Sequence, residues 1–149
     1  MILNSKLHLG VSQISGGSKT SVGGYFEPMP EKDNSAQFDV SDRRPLDEVI
    51  RWLMELGYLP SFCTACYGSG RTGDRFMEIC KDQQIHNFCH PNAIMTLKEY
   101  LEDYASPETK CVGEKLIERE VQTLENAKIK ETVEEDLIKI HNGERDFKF

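Results

Sequence analysis

The sequence lacks any long apolar run, and no stretch approaches the roughly 18 consecutive apolar residues that a membrane-spanning helix needs. Residues 1–6 have neither the apolar region nor the cleavage site of a signal peptide. Positive charge is also scarce. The chain has 18 Lys and Arg residues against 25 Asp and Glu residues, which gives a net charge of −7. This balance disfavours a nucleic-acid-binding surface. We therefore predict a cytoplasmic protein that binds neither nucleic acid nor a membrane.

Strand-like patterns and internal repeats are scarce as well. Residues 7–14 loosely alternate polar and apolar side chains and predict one short strand, but few other stretches do so. Charged residues make up 29% of the chain and hydrophobic residues 38%, which is typical of a thin, mainly helical assembly with much exposed surface. The predicted fold class is an α/β fragment, with one strand followed by a mainly α-helical part.

A glycine-rich turn, Ser15-Gly-Gly-Ser-Lys-Thr20, follows the predicted strand. Such a turn exposes backbone N–H groups, and here one cation, to an anionic ligand. It is not a P-loop, because Ser18 stands where that motif requires glycine before Lys19. An ordinary surface turn is the alternative interpretation. Residues 27–44 are polar, and two prolines, Pro28 and Pro30, oppose helix formation there.

The rest of the chain has helical periodicity. Pro45 suits the first turn of a helix, the apolar residues from Leu46 to Leu53 share one face, and Gly57 ends it. The other predicted helices are 74–81, one starting at Pro91, one starting at Pro107 with Ser106 as N-cap, and 133–141, with irregular backbone over 83–90.

The cysteines carry the strongest signal in the sequence. Five cysteines in a reducing compartment are expected to be ligands or buried thiols rather than disulfides. Two residues separate Cys63 from Cys66, and twenty-two separate Cys66 from Cys89. The closely spaced pair can grip one metal centre. Three cysteines leave one position of a cubane cluster, or of a tetrahedral metal ion, without a thiolate, and an open position is where chemistry occurs.

Three glycines, Gly68, Gly70 and Gly73, follow the first two cysteines within a few residues. Because glycine tolerates positive φ and has no side chain, it lets the backbone pass close to a bulky inorganic group. Arg71, within this loop, is expected to donate hydrogen bonds to cluster sulfides or to pair with a carboxylate.

Two kinds of metal centre fit these three cysteines, and spacing alone does not choose between them. An iron–sulfur cluster needs thiolates only, whereas structural zinc needs a fourth ligand, for which His86, His90 and Cys80 are candidates. Buried thiols without a metal are the third interpretation. We interpret Cys80 and Cys111 as inert thiols within helices.

Five stretches together resemble a known family. They are residues 41–50, 58–67 (Tyr-Leu-Pro-Ser-Phe-Cys-Thr-Ala-Cys-Tyr), 70–77 (Gly-Arg-Thr-Gly-Asp-Arg-Phe-Met), 87–89 (Asn-Phe-Cys) and 142–146 (Asn-Gly-Glu-Arg-Asp). The chain resembles the FeFe-hydrogenase maturase that lyses tyrosine, a radical S-adenosylmethionine enzyme. The resemblance runs from about residue 7 to the end and covers the C-terminal third of that family's protein, including its biotin- and thiamin-synthesis-associated C-terminal region.

The resemblance implies an activity for the complete enzyme. Its cluster on a Cys-x-x-x-Cys-x-x-Cys motif cleaves S-adenosylmethionine, and the radical splits tyrosine into p-cresol and dehydroglycine. Dehydroglycine becomes carbon monoxide and cyanide on a labile iron at an auxiliary 4Fe-4S cluster. By this resemblance, Cys63, Cys66 and Cys89 hold the auxiliary cluster and Arg71 lies beside it.

The resemblance also gives the glycine-rich turn a role. Ser18, Lys19 and Thr20 would bind the amino-acid end of tyrosine. Gly16 and Lys19 stand where the tyrosine-lyase group has alanine and arginine. Lysine keeps the charge but lacks the planar two-donor fork of arginine.

The expected domains are the end of a truncated TIM-type barrel over 1–30, with residues 7–14 as its terminal strand, a linker over 31–44, and a helical auxiliary-cluster domain over 45–149. The sequence has no Cys-x-x-x-Cys-x-x-Cys motif. S-adenosylmethionine would therefore bind only in the complete enzyme, and this chain alone is expected to be inactive. Expected partners are the rest of the barrel, other hydrogenase maturation proteins and tyrosine.

Two alternatives stay open at this point. One is a free-standing metal-binding module, with iron–sulfur or zinc. The other is part of 2-iminoacetate synthase of thiamine biosynthesis, against which Cys89 counts because that enzyme does not use the twenty-two-residue spacing.

Overall fold

The computed structural model describes residues 13–19, 42, 44–82 and 84–149. The chain forms two compact units, Met1–Val49 and Ile50–Phe149. Among these described residues, no helix is long and apolar enough to cross a membrane. The helices in these ranges are α1 (Leu46–Glu55), α2 (Ala65–Gly68), α3 (Asp74–Lys81), α4 (Ile85–Asp103), α5 (Pro107–Gln122) and α6 (Ala127–His141).

The predicted α/β fold, with a terminal barrel strand, is wrong. Within the described ranges every regular element is a helix, and there is neither a strand nor a sheet. Residues 7–12 of the predicted strand lie outside those ranges, and Gln13 and Ile14 have no strand structure. A strand needs a neighbour to pair its N–H and C=O groups. The described residues contain no strand with which Gln13 and Ile14 could pair.

Helix α1 confirms the prediction made from its apolar face. It begins at Leu46, directly after Pro45, and its first turn contains Asp47 and Glu48, whose charges favour a helix N-terminus. Just beyond its C-terminal end, Gly57 adopts a φ of +85°. This positive φ lets the chain turn out of the helix towards the cysteines.

Helix α4 differs from the prediction in a way that matters for the site. It begins at Ile85 rather than Pro91, and it continues through that proline to Asp103. A proline inside a helix removes one backbone hydrogen bond and costs roughly 3 kcal/mol or more. Pro91 is fully buried, and Asn92 and Ala93 beside it are buried as well, so packing offsets that cost. As a result Cys89 lies on a helix instead of in an irregular segment.

The core of the second unit forms where α4 contacts α5 and α6. Helix α5 begins as predicted, with the Ser106 hydroxyl accepting a hydrogen bond from the Thr109 N–H at 3.3 Å. Helix α6 begins at Ala127, six residues before the predicted start, because Asn126 caps it by accepting from the N–H of Lys128. The core residues are Ile50, Met54, Ile94, Leu97, Tyr100, Leu101, Leu116, Ile117, Val121, Leu124 and Val133.

Glu102 ties the three long helices together. Its carboxylate contacts Lys98 of α4 at 2.7 Å, His141 of α6 at 2.9 Å, and also Lys110 of α5. Burial raises the pKa of Glu102, but the hydrogen bonds from Lys110, Lys98 and His141 outweigh burial and lower this pKa to about 2. The ionised carboxylate therefore stabilises the folded state.

We predict that Glu102→Gln lowers the free energy of unfolding at pH 7 by about 1–2 kcal/mol, the usual contribution of hydrogen bonds to a charged group. The folded-state pKa lies below the unfolded-state value, so this contribution is present above about pH 4.5 and is lost as the pH falls towards 2. Urea denaturation from pH 7 to pH 2.5 should show the variant and the parent converge. Glu118→Gln, at an exposed glutamate of α5, is the matched control, and an equal loss there would contradict the prediction.

Gly113 marks the closest approach of α5 to α4. A Cβ at this position would lie 2.4 Å from Cδ1 of Leu101, which is itself buried. Overpacking costs about 1–3 kcal/mol, more than the roughly 1 kcal/mol that alanine gains over glycine in a helix. We therefore predict a net loss of stability of about 1 kcal/mol for Gly113→Ala in thermal or urea unfolding. Gly68→Ala, where nothing lies within 4 Å of the added Cβ, should show no such loss.

Candidate metal centre

Two separate segments of the second unit carry the three predicted ligands. Cys63 lies just before α2, Cys66 lies within α2, and Cys89 lies in the second turn of α4. All three thiols are partly buried. The Cys63 sulfur accepts a hydrogen bond from the Ala65 N–H at 3.4 Å, which turns this side chain back over the start of α2.

The two cysteine-bearing segments are in contact, because the Arg71 guanidinium lies over the ring of Phe88, the residue before Cys89. Burial raises the pKa of the Cys89 thiol, nearby Cys66 and Cys63 raise this pKa further, and so does Cys80 of α3, whereas Arg71 lowers it. Such effects act only over short distances. The two segments are therefore neighbours in the fold, and the pKa of Cys89 responds to both other predicted ligands and to Cys80. Cys111 is exposed on α5 and takes no part in this group.

The thiols do not form a cage for a single ion. Among the described residues, no three His, Cys, Asp or Glu side chains stand close enough together to hold one metal ion. The role of Cys63, Cys66 and Cys89 as metal ligands therefore stays a prediction.

Two of the three glycines after the first cysteines adopt the positive φ that glycine tolerates. Gly70 and Gly73 have φ values of +63° and +57°, in the region that side chains disfavour. Between them, the Arg71 N–H donates to the Cys66 carbonyl at 2.9 Å, which folds the loop back over α2. Helix α3 then begins directly after Gly73.

Arg71 lies between the two cysteine-bearing segments. Its guanidinium carbon lies 4.9 Å from the centroid of the Phe88 ring, next to Cys89 in the chain. Its Nη2 donates to the backbone oxygen of Phe149 at 2.5 Å. The remaining donor, Nε, is buried and has no hydrogen-bond partner in the described structure.

The C-terminal segment 144–149 docks along α4, which sequence reasoning missed. Arg145 pairs with Asp103 at 2.5 Å, the Asp146 N–H donates to Glu99 at 2.8 Å, and the Phe149 N–H donates to the buried Asn92 side chain at 2.9 Å. These contacts run from the C-terminal end of α4 towards its N-terminal end, so the segment reaches Arg71. No local pattern in the sequence indicated where this tail would dock.

The other candidate ligands have different surroundings. His90 Nε2 lies 3.0 Å from a Glu120 carboxylate oxygen, and His86 is exposed. Both histidines line a pocket of about 400 Å³ together with Glu125 and Asn126. Neither is among the groups that affect Cys89.

The predicted substrate-binding turn lies in the first unit. Ser18 and Lys19 have no regular secondary structure, and Thr20 lies outside the described residues. Gly17 has a φ of +65°, and a Cβ there would lie 3.2 Å from the backbone nitrogen of Leu46. This close approach requires glycine at position 17.

Comparisons with known proteins agree with the resemblance inferred from the motifs. The chain is similar to a solved structure described as the crystal structure of HydG, a maturase of the FeFe-hydrogenase, with 48% identity and a TM-score of 0.90. The predicted resemblance to the C-terminal part of this maturase is confirmed. The match covers 99% of this chain but 31% of the HydG chain, so the chain spans about a third of that protein's length. No family model and no curated protein matches the chain.

We predict that Gly73→Ala destabilises the cysteine loop. Its backbone, with φ +57° and ψ −130°, belongs to a region that is nearly exclusive to glycine. Forcing another residue into such a conformation costs of order 1–3 kcal/mol, so the free energy of unfolding should fall by about that amount. Gly68→Ala, at the end of α2 just before this loop and without a positive φ, is the matched control. Equal stability of the two variants would show that the loop relaxes freely.

Proposed function

We propose that this chain is the auxiliary iron–sulfur cluster domain of a HydG-like hydrogenase maturase, with Cys63, Cys66 and Cys89 as the cluster ligands. The observation that carries this proposal is the contact between the two cysteine-bearing segments, where the Arg71 guanidinium lies over the Phe88 ring with its buried Nε unpartnered. The 48% identity with HydG supports it independently.

The chemistry of the donor set fits a cluster. Thiolates are the ligands that iron–sulfur clusters use. A cubane cluster holds its cysteine ligands farther apart than a single ion does, which agrees with thiols that share one neighbourhood without forming a single-ion cage. A buried donor without a partner costs about 1–3 kcal/mol, and the sulfides of an anionic cluster would offer Arg71 an acceptor.

Each residue of the site would have a distinct task. The three cysteines would hold the cluster, Arg71 would balance part of its negative charge, and Phe88 would keep the guanidinium beside Cys89. When bound, the cluster would supply the iron chemistry by which, as the resemblance implies, carbon monoxide and cyanide would be made from tyrosine-derived dehydroglycine. S-adenosylmethionine cleavage and tyrosine lysis would belong to the rest of the enzyme, in the cytoplasm and alongside other hydrogenase maturation proteins.

The turn at Ser18, Lys19 and Thr20 would contact the amino-acid end of tyrosine. The support is the positive φ of Gly17, which sets a tight turn next to Lys19, a cation suited to a carboxylate. This role is independent of the cluster.

A free-standing metal-binding module, with zinc or an iron–sulfur cluster, is the second candidate. The observation in its favour is Cys80, because this fourth thiol lies near Cys89 and could complete a four-thiolate site. A four-thiolate site would have no open position.

Anaerobic reconstitution with iron and sulfide tests the first candidate. We predict uptake of one four-iron cluster with charge-transfer absorption in the visible range. Cys63→Ser and Cys89→Ser should each lose most of the iron and of this absorption, because a ligand is removed. Cys80→Ser should keep both, and Cys111→Ser, at a thiol outside the group, is the matched control.

Two results would decide against the cluster. Full iron content in Cys89→Ser would contradict the three-ligand assignment. Stoichiometric zinc without iron uptake, lost on Cys80→Ser, would establish the second candidate instead.

A further inference from the structure

We propose that Asn92 and the backbone of Phe149 are positioning groups that hold Arg71 so that its Nε–H donates a hydrogen bond to the cluster carried by the cysteines. This inference rests on the proposed function and deepens it. It assigns a role to the segment 144–149, which otherwise contributes no metal ligand.

First, the backbone of Phe149 makes two hydrogen bonds, one to Asn92 and one to Arg71. Its N–H donates to Oδ1 of Asn92 at 2.9 Å, and its backbone oxygen accepts from Nη2 of Arg71 at 2.5 Å. Asn92 is 2% exposed and lies three residues after Cys89, on the same side of α4. One backbone unit therefore connects a buried side chain of the cysteine-bearing helix to the guanidinium.

The second step is the restraint on Arg71 itself. Its backbone N–H is bonded to the Cys66 carbonyl, its guanidinium lies over Phe88, and its Nη2 is held by Phe149. These contacts fix the residue at both ends. In the described part of the chain, its Nε is the only buried side-chain nitrogen or oxygen without a partner. A fixed, buried and unsatisfied donor beside thiols is suited to an anionic acceptor.

The third step is the anchoring of the tail upstream of Phe149. Arg145 bonds Asp103 and also donates to the Ile140 carbonyl at 2.7 Å, and the Asp146 N–H is held by Glu99. The tail is thus fixed to α4 and to the end of α6 before it reaches Arg71. The guanidinium is positioned in advance, without reorganisation when a cluster is bound.

A preorganised donor has a measurable consequence for a cluster. Reduction adds negative charge, and hydrogen bonds to cluster sulfurs, like nearby positive charge, favour the reduced form. The midpoint potential of the bound cluster therefore reports on Arg71, and it does so without any measurement of enzyme activity.

The experiment is an EPR-monitored redox titration of the reconstituted full chain. Arg71→Gln should shift the midpoint potential to a more negative value, and Arg71→Lys, which keeps the charge but lacks Nε, should give a smaller shift in the same direction. Asn92→Leu, which leaves the net charge unchanged, should reproduce part of the Arg71→Gln shift. Adding Asn92→Leu to Arg71→Gln should cause no further shift. Arg75→Gln, at an exposed arginine in the same region, is the matched control.

A second pair of variants tests the tail without changing the buried Asn92. Phe149→Pro removes the backbone N–H that donates a hydrogen bond to Asn92. Phe149→Leu keeps this N–H and an apolar side chain. The proline variant should show the negative shift, and the leucine variant should keep the potential of the unsubstituted chain.

The outcomes separate this inference from the proposed function. Failure of the unsubstituted chain to take up a cluster would overturn the proposed function and this inference with it. Unchanged potential in a loaded Arg71→Gln chain would overturn this inference alone. A shift in Arg71→Gln with none in Asn92→Leu or Phe149→Pro would overturn the positioning role of the tail.

Discussion

Burial of the middle of α4 is the constraint on which the second unit depends. Ile94, Met95 and Leu97 have no exposed surface, and α5 and α6 both pack against this helix. Burying a side chain of this size contributes about 1.5–3 kcal/mol. Such contributions hold a 19-residue helix continuous through an internal proline. Helix α4 also positions the predicted ligand Cys89, which precedes these buried residues in the chain, and the ion-pairing residue Glu102, which follows them.

The position of Cys89 on this helix fixes its relation to the core in a way that a loop would not. A helix sets the direction of each side chain by its number, so Cys89 and Asn92 lie on neighbouring positions of one side. The Cys63 and Cys66 segment reaches α4 from α1, and Arg71 folds back onto Cys66 through a backbone hydrogen bond. The site is therefore built from one rigid element and one glycine-rich loop. This combination supports a ligand of fixed shape.

Local signals in the sequence predicted local structure well. The Ser106 cap and the bounds of α3 each depend on a few adjacent residues, and each was predicted. The helix start at Ile85 was not, because the burial that offsets Pro91 comes from other helices. The strand at 7–14 failed for the related reason that a strand depends on a partner elsewhere in the chain.

The site shows the same division between local and distant information. The cysteine spacing predicted Cys63, Cys66 and Cys89 as ligands, and that role stays a prediction, although Arg71 over the Phe88 ring puts their two segments in contact. The bonds of Phe149 to Asn92 and Arg71 span 57 and 78 residues, and no pattern within a window of sequence encodes them. Cys80, interpreted from its helix as an inert thiol, joins the group for the same reason, since helix packing rather than spacing places it there.

The unpartnered donor of Arg71 gives the final constraint on how this site works. A buried N–H without an acceptor costs the folded chain about 1–3 kcal/mol, and the described residues contain no other such side-chain atom. Rotation of the guanidinium could relieve this cost only by breaking the bond to Phe149 or leaving the Phe88 ring. An anionic group at the cysteines, as proposed, would remove the cost without moving anything. Its binding would then stabilise the docked tail, and the docked tail would in turn favour its binding.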